Sequence, residues 1–302
     1  MPELPEAETI ARQLQRQLAG RTLGRVRLTR TDIVHGDPRP LDKLLPGRCV
    51  ERVHRRAKRV ILGLDGGVEL VFRLGMTGRL IVCPTEQPVE KHTHLRIAIR
   101  DATQELRFCD PRRFGGIWCL TESGRHTGEV LRELGLEPLE TTAAAFRAAM
   151  KRRRQIKGLL MDQAVIAGLG NIYCDESLHA AGIHPLTRAD TLSVERADRL
   201  LRAIKTTLRR AIRLNGSTIM DYRDADGREG SFQKLHRVYQ REDKPCQTCR
   251  TPIRRILAAG RSTFFCPNCQ AKKPRKSRNV NTLIGPTRRR KVGTVIERTC
   301  IA

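Results

Sequence analysis

Two pairs of cysteines constrain this 302-residue chain more than any other feature. Cys246-Gln-Thr-Cys249 and Cys266-Pro-Asn-Cys269 are Cys-x-x-Cys knuckles separated by sixteen residues. Thiolates at that spacing close a tetrahedral site, and four soft sulfur ligands select zinc. Four protein ligands leave no open position, so one structural Zn2+ is expected, supplying folding energy to a module too small to bury a core. Between the knuckles, residues 253–257 and 262–265 read as the two strands of a hairpin with Gly260-Arg261 near its tip. Arg261 is thereby presented on a rigid turn, ready for a phosphate. The other cysteines (Cys49, Cys83, Cys109, Cys119, Cys174 and Cys300) are scattered, which argues against a secreted disulfide scaffold.

At the opposite end, Ala7, Ile10, Ala11, Leu14 and Leu18 fall on one face of an amphipathic helix, with Pro5 in its first turn and Gly20 as its stop. A Met followed by Pro is commonly trimmed, which would leave Pro2 with a free secondary amine. Such α-amino groups titrate near ~8, so a useful fraction is neutral and nucleophilic. The positive end of the helix disfavours the protonated amine, while Glu3 and Glu6 favour it and stand where they could shuttle protons. An amine beside a carboxylate is what Schiff-base chemistry on a carbonyl or a sugar C1′ requires. The same residues also read as an acidic N-terminus complementing its own helix dipole, and this stretch alone leaves both readings open.

From residue 60 to 120 the chain turns to short β-branched or alternating segments, at 60–64, 68–74, 79–82, 95–99, 105–108 and 116–120. Their roughly ten-residue spacing predicts an all-β sandwich or barrel covered by the first helix, with Asp65-Gly66-Gly67 as a hairpin turn. Beyond residue 136 the pattern becomes helical at 142–151, 156–161, 172–181 and 193–214. Residues 221–230 read as a mobile polar loop. Residues 271–302 carry ten basic side chains against the single acid Glu297, a disordered basic tail. Lys plus Arg number 58 against 32 Asp plus Glu, and a net charge of +26 predicts a polyanionic partner, with nucleic acid the default. With aromatics at 4% and no apolar run of spanning length, a membrane partner is not expected. The absence of a basic-then-apolar leader leads us to expect a cytoplasmic protein.

Taken together, these pieces resemble the formamidopyrimidine-DNA glycosylase (Fpg/Nei) family of base-excision repair enzymes. The matches run in order from Pro2-Glu-Leu-Pro-Glu through Arg55-Arg-Ala-Lys58, Leu74-Gly-Met76-Thr-Gly, Lys91-His-Thr-His94 and Asp110-Pro-Arg-Arg-Phe-Gly115. They continue with Ile156-Lys157, Ala167-Gly-Leu-Gly-Asn-Ile-Tyr173, Ala181-Gly-Ile-His-Pro185, Gly216-Ser-Thr218 and the cysteine module with Arg261. The resemblance implies an α+β, multidomain fold: an N-terminal helix on a β-sandwich (residues 1–135), a helical domain with a helix-two-turns-helix motif (136–235) and a C-terminal zinc hairpin (236–270), followed by the basic tail (271–302).

It also implies roles. Pro2 would attack C1′ of the damaged nucleotide and Glu3 would move protons at the sugar, with Glu6 in support. Lys58 would hold the phosphate beside the lesion and serve β-elimination, and Arg261 would serve δ-elimination. His92, Arg112, Lys157 and Asn171 are expected at the DNA backbone. Met76, Arg112 and Phe114 would fill the hole left by an extruded base, and Ser217, Thr218 and Tyr222 would neighbour that base. The expected activity is a bifunctional glycosylase and abasic-site lyase acting on oxidised purines in double-stranded DNA. A monomer, without organic cofactor, in the nucleoid-bearing cytoplasm of a bacterium would suffice. A relative preferring oxidised pyrimidines and a catalytically silent reader of damaged DNA are the alternatives. Two departures from the family pattern are Arg73, where histidine is common, and Tyr239-Gln240 in place of Tyr-Gly.

Overall fold

The computed structural model describes residues 2–36, 40–121 and 129–272, without the side chains of residues 129 and 132. Met1 and all of the expected tail except residues 271 and 272 lie outside that range, so its basic segment stays a reading of the sequence.

Helix α1 (Leu4–Leu18) starts where its sequence directs, with Pro5 in the first turn and Glu3 as N-cap. Its apolar stripe lies over a β-sandwich. One sheet is built from β1 (Leu23–Leu28), β7 (Thr93–Ile99), β8 (Gln104–Cys109) and β6 (Arg79–Pro84), in that order. The other has the order β2 (Val34–Gly36), β9 (Gly116–Leu120), β5 (Val68–Arg73), β4 (Arg59–Leu64) and β3 (Val50–Arg56). All pairings are antiparallel except β2 on β9. The short helix α2 (Leu41–Leu44) packs beside β1. Ala7, Ile10, Leu14 and Leu18 of α1 are fully buried in one core with Leu62, Leu70 and Phe72 of one sheet and Leu80, Ile97 and Phe108 of the other.

Helices α3 (Glu129–Arg132), α4 (Ala143–Met150), α5 (Ile156–Met161), α6 (Asn171–Ala181) and α7 (Val194–Arg213) follow. The last four surround a second core of Phe146, Leu160, Tyr173, Leu178, Leu200 and Leu208. Leu4, the first residue of α1, belongs to this second core, while the rest of the helix belongs to the first. Helix α1 therefore joins the two cores and sets its own N-terminus at their junction. Strands β10 (Arg254–Ala258) and β11 (Arg261–Phe265) form the hairpin over a small core of Val238, Ile253 and Phe264. Its two turn residues, Ala259 and Gly260, both have positive φ (49° and 69°), as a tight right-twisted hairpin requires.

Candidate active site and nucleic-acid interface

Pro2 and Glu3 are both buried, and Glu3 lies against the start of α6. The Glu3 carboxylate accepts the Gly170 N–H at 2.8 Å and the Ile172 N–H at 2.9 Å, occupying the positive end of that helix. Position 170 requires glycine, because a Cβ there would stand 2.4 Å from Cδ of Glu3. One turn along α1, Glu6 accepts the Glu3 N–H at 2.8 Å through Oε2. Its Oε1 accepts the Ser217 N–H at 2.7 Å and the Tyr173 hydroxyl at 2.5 Å. The close approach at Ser217 depends on Gly216, whose φ of +80° and missing Cβ leave room for Oε1. Burial, reinforced by the charge of Glu3, pushes the Glu6 carboxyl above the usual carboxylate range despite these donors.

Lys58 reaches the same region from the sandwich. It forms, with Ala57, the two-residue turn between β3 and β4, in which Arg56 pairs with Arg59. Ala57 takes a φ of 54° there, although it is fully buried. Glu137 fastens that turn, accepting the Ala57 N–H at 3.2 Å and a two-pronged ion pair from Arg55 at 2.9 and 3.0 Å. Arg55 also binds Glu8 of α1 at 2.7 Å. Desolvation lowers the pKa of the Lys58 ammonium, and the charges of Glu3 and Glu6 oppose that shift, which places all three in one electrostatic neighbourhood.

Met76 and Phe114 stand on two turns that touch: a Cβ on Gly75 would lie 2.5 Å from the carbonyl carbon of Phe114. The buried Asp110 joins these turns by accepting the Thr77 hydroxyl at 2.6 Å and the Gly115 N–H at 2.7 Å. Met76 is 39% exposed and Phe114 53%, so two large apolar side chains are open to solvent on adjoining turns. The Arg112 guanidinium sits over the Phe114 ring at 5.0 Å. His92 is exposed beside this pair of turns, and its carbonyl accepts the Asp110 N–H at 3.1 Å. The three expected void-filling residues are thus presented together. Asp110, which fixes them, lay within the quoted motif but received no role from sequence.

Elsewhere the structure departs from the sequence reading. Lys157, expected at a phosphate, has no exposed side-chain surface. Its ammonium donates to Asp175 Oδ1 at 2.6 Å and to Asn171 Oδ1 at 2.6 Å, so it is a buried strut and not a free cation. Asn171 spends its side-chain amide on the Ser262 carbonyl at 2.8 Å, tying α6 to the hairpin, and the amides of residues 170 and 172 are already held by Glu3. Tyr222, expected beside an extruded base, is 7% exposed and packs into the sandwich core with Ala225. The loop at 221–230 is fastened to α1: Gln13 donates to Asp224 at 2.8 Å and accepts the Ala225 N–H at 2.8 Å. Ser217 is buried in the Glu6 network. Half-buried Thr218 lines a polar cavity of about 290 Å3 with Gln233, His236 and Tyr239. Arg261 is exposed at the start of β11.

The four cysteine sulfurs, Cys246, Cys249, Cys266 and Cys269, lie within 4.8 Å of one another, which fits a tetrahedral thiolate zinc site. Residues outside the hairpin strands also contact this cluster: Gln270 Oε1 accepts the Cys266 N–H at 2.9 Å, and His179 Nε2 of α6 lies 3.6 Å from Cys246 Sγ. Gln240 takes a φ of 55°, which accounts for glycine being usual at that position of the family pattern.

Family models bear on this geometry directly. The formamidopyrimidine-DNA glycosylase N-terminal domain matches residues 1–117, the corresponding H2TH domain residues 134–223, and the zinc finger found in FPG and IleRS residues 243–272. A formamidopyrimidine-DNA glycosylase of Solibacter usitatus is 43% identical over 272 residues, covering 89% of this chain and 99% of the relative. The crystal structure of the MutM (FPG) protein from Thermus thermophilus superposes with a TM-score of 0.80 at 39% identity, over 90% of this chain and 100% of that one. A Lactococcus lactis FPG mutant in complex with a Fapy-dG containing DNA gives a TM-score of 0.83 at 32% identity, with the same coverage. The helix-capping carboxylate, the paired turns and the four-cysteine hairpin thus sit in a chain matched along nearly its whole described length, and that chain belongs to the formamidopyrimidine-DNA glycosylase family.

Proposed function

We propose that this protein is a bifunctional DNA glycosylase and abasic-site lyase of base-excision repair that excises oxidised purines, 8-oxoguanine and formamidopyrimidines, from double-stranded DNA. The observation that carries the reading is the junction of Pro2, Glu3 and Glu6 with the start of α6 and the Lys58 turn. There two carboxylates in different environments and a desolvated lysine ammonium lie beside residue 2, which carries a free secondary amine once Met1 is removed.

With Met1 removed, the Pro2 nitrogen attacks C1′, the damaged base leaves with the C1′–N bond electrons, and the sugar ring opens to an iminium. Glu3 gives and takes the protons at the sugar, and Glu6 supports it from the next turn of α1. The iminium acidifies the C2′ proton. Its removal expels the 3′ phosphate, and a second elimination expels the 5′ phosphate, with Lys58 and Arg261 holding those groups. Met76, Arg112 and Phe114 occupy the vacated stack while the base is extruded. His92 and Arg112 position the backbone, Asn171 holds α6 to the hairpin that carries Arg261, and Thr218 contributes to the lesion pocket. One site of this kind acts on one lesion, so a monomer in the DNA-bearing cytoplasm of a bacterium suffices.

Borohydride trapping tests the reading, with duplexes carrying 8-oxoguanine opposite cytosine or thymine glycol. Reduction of the iminium is expected to give a covalent adduct preferentially on 8-oxoguanine, lost in Pro2→Gly while duplex binding persists. Adduct mainly on thymine glycol would transfer the assignment to oxidised pyrimidines. Binding without adduct on either duplex would leave a silent reader of damage.

A further inference from the structure

We propose that Tyr173, Ser217 and His236 form a proton wire linking Glu6 to the polar cavity lined by Thr218, Gln233 and His236. The chain is continuous: the Tyr173 hydroxyl lies 2.5 Å from Glu6 Oε1 and 3.2 Å from Ser217 Oγ, and Ser217 Oγ lies 3.1 Å from His236 Nε2. Tyr173 is fully buried, and Ser217 and His236 nearly so. Every link is a hydroxyl or a ring nitrogen that can both donate and accept, so the hydrogen bonds can run in either direction.

Two states follow. With Glu6 neutral, its Oε1 proton points to Tyr173, Tyr173 donates to Ser217, Ser217 donates to Nε2, and His236 carries its proton on Nδ1. Shifting each proton one place releases the Nδ1 proton to the cavity. It leaves Glu6 ionised and accepting from Tyr173, with His236 now protonated on Nε2. One proton leaves, no heavy atom moves, and the reverse shift returns it. The ring is held for this purpose between Phe232 and Tyr239, each with its centroid 5.6 Å away.

The electrostatic surroundings suit such a relay. Glu3, Lys58 and Tyr222 face the Glu6 end, while Arg241, Lys234 and Lys244 stand around the His236 end. Burial together with Arg241 takes His236 down to about 4, keeping the neutral imidazole that a tautomer shift needs. Resting on the function proposed above, the wire lets Glu6 exchange a proton while DNA covers the front of the site, so that the carboxylate pair can be reset between steps.

Two measurements decide the matter. In the isotopically labelled full chain, NMR can follow the Glu6 carboxyl carbon and the His236 ring nitrogens across a pH titration. The ring nitrogens are expected to change tautomer at the Glu6 midpoint, and in Tyr173→Phe no longer to do so. A His236 tautomer that stays fixed through the Glu6 titration would overturn the wire. In single-turnover base release, His236→Phe and Ser217→Ala are expected to bind lesion duplex normally yet react at least about tenfold more slowly, with an altered pH profile. Imidazole in the buffer is expected to restore His236→Gly. Wild-type rate and pH profile in His236→Phe would also refute it. Failure of the wild type to release any base would sink the function proposed above, and the NMR coupling would still decide the wire.

Discussion

Lys58 sits half-buried in a hairpin turn within the electrostatic reach of Glu3 and Glu6, whereas the ammonium of Lys157 is shared between Asp175 and Asn171 of α6. The difference yields a test. A lysine at a DNA phosphate would, on removal, flatten the dependence of log K on log salt by roughly 0.9 with little effect on stability. Lys157→Met is expected to do the opposite. It leaves Asp175 buried with only the Phe264 N–H as partner, so unfolding free energy should fall by about 3 kcal/mol in urea titrations while the salt slope is unchanged. Glu6 makes a second residue-scale prediction. Its carboxyl titrates higher in the folded than in the unfolded chain. The unfolded chain therefore ionises first as pH rises above the ordinary carboxylate value, and Glu6 withdraws stability until its folded midpoint is passed. The stability of Glu6→Gln relative to wild type should for that reason improve as the pH rises above the ordinary carboxylate value of about 4.3, and level off once the folded midpoint is passed. A constant offset would show that Glu6 is not shifted. Motif spacing located both residues, but partners such as Asp175, eighteen positions beyond Lys157, belong to a third dimension that a list of charges does not contain.

Helix α6 is the element that binds the molecule together. Its N-terminus receives Glu3, and Asn171, Asp175, Glu176 and His179 lie along one side of it, each turned to the C-terminal module. Asn171 donates to Ser262, Asp175 accepts from Phe264, and Glu176 accepts the N–H groups of Arg237, Val238 and Tyr239 at 2.9–3.0 Å. Loss of the metal should therefore be felt beyond the hairpin. Cys249→Ser, or chelation of zinc, is expected to abolish duplex binding and to raise amide exchange both at residues 253–265 and in α6. Exchange confined to the hairpin would mean that α6 does not depend on it. The longer helices were legible because their apolar stripes are long: α7 keeps a buried row from Ala197 to Ile212, whereas the four-residue α2 and α3 are too short to show a stripe and were missed. The strands missed by sequence were β1, β2 and β3. Register slips between Leu23 and Val26 in β1 and between Val50 and Arg52 in β3, so the alternation breaks inside each. Both are also dense in arginine, and β2 has three residues, too few to show a period.

Across the whole molecule, the excess of 58 basic over 32 acidic side chains is divided between a folded body and the segment beyond residue 272, where the zinc-finger match also ends. On the function proposed above, residues up to 272 already carry the groups for specific recognition: Lys58, Arg112 and Arg261, and Met76 with Phe114 exposed on clamped turns. Residues 273–302 add nine basic side chains against the single acid Glu297. Charge of that kind neutralises phosphates irrespective of sequence or damage, raising affinity for any duplex and steepening its salt dependence. Ending the chain at Lys272 should accordingly weaken binding to undamaged DNA and reduce the magnitude of its salt slope by several times ~0.9. The rate of base release from a saturated lesion duplex should not change. Competition titrations at two or more salt concentrations, run beside single-turnover kinetics, separate the two effects. A slower chemical step at saturation would place the segment in the active site, and unchanged slopes would mean that its charges never reach the DNA.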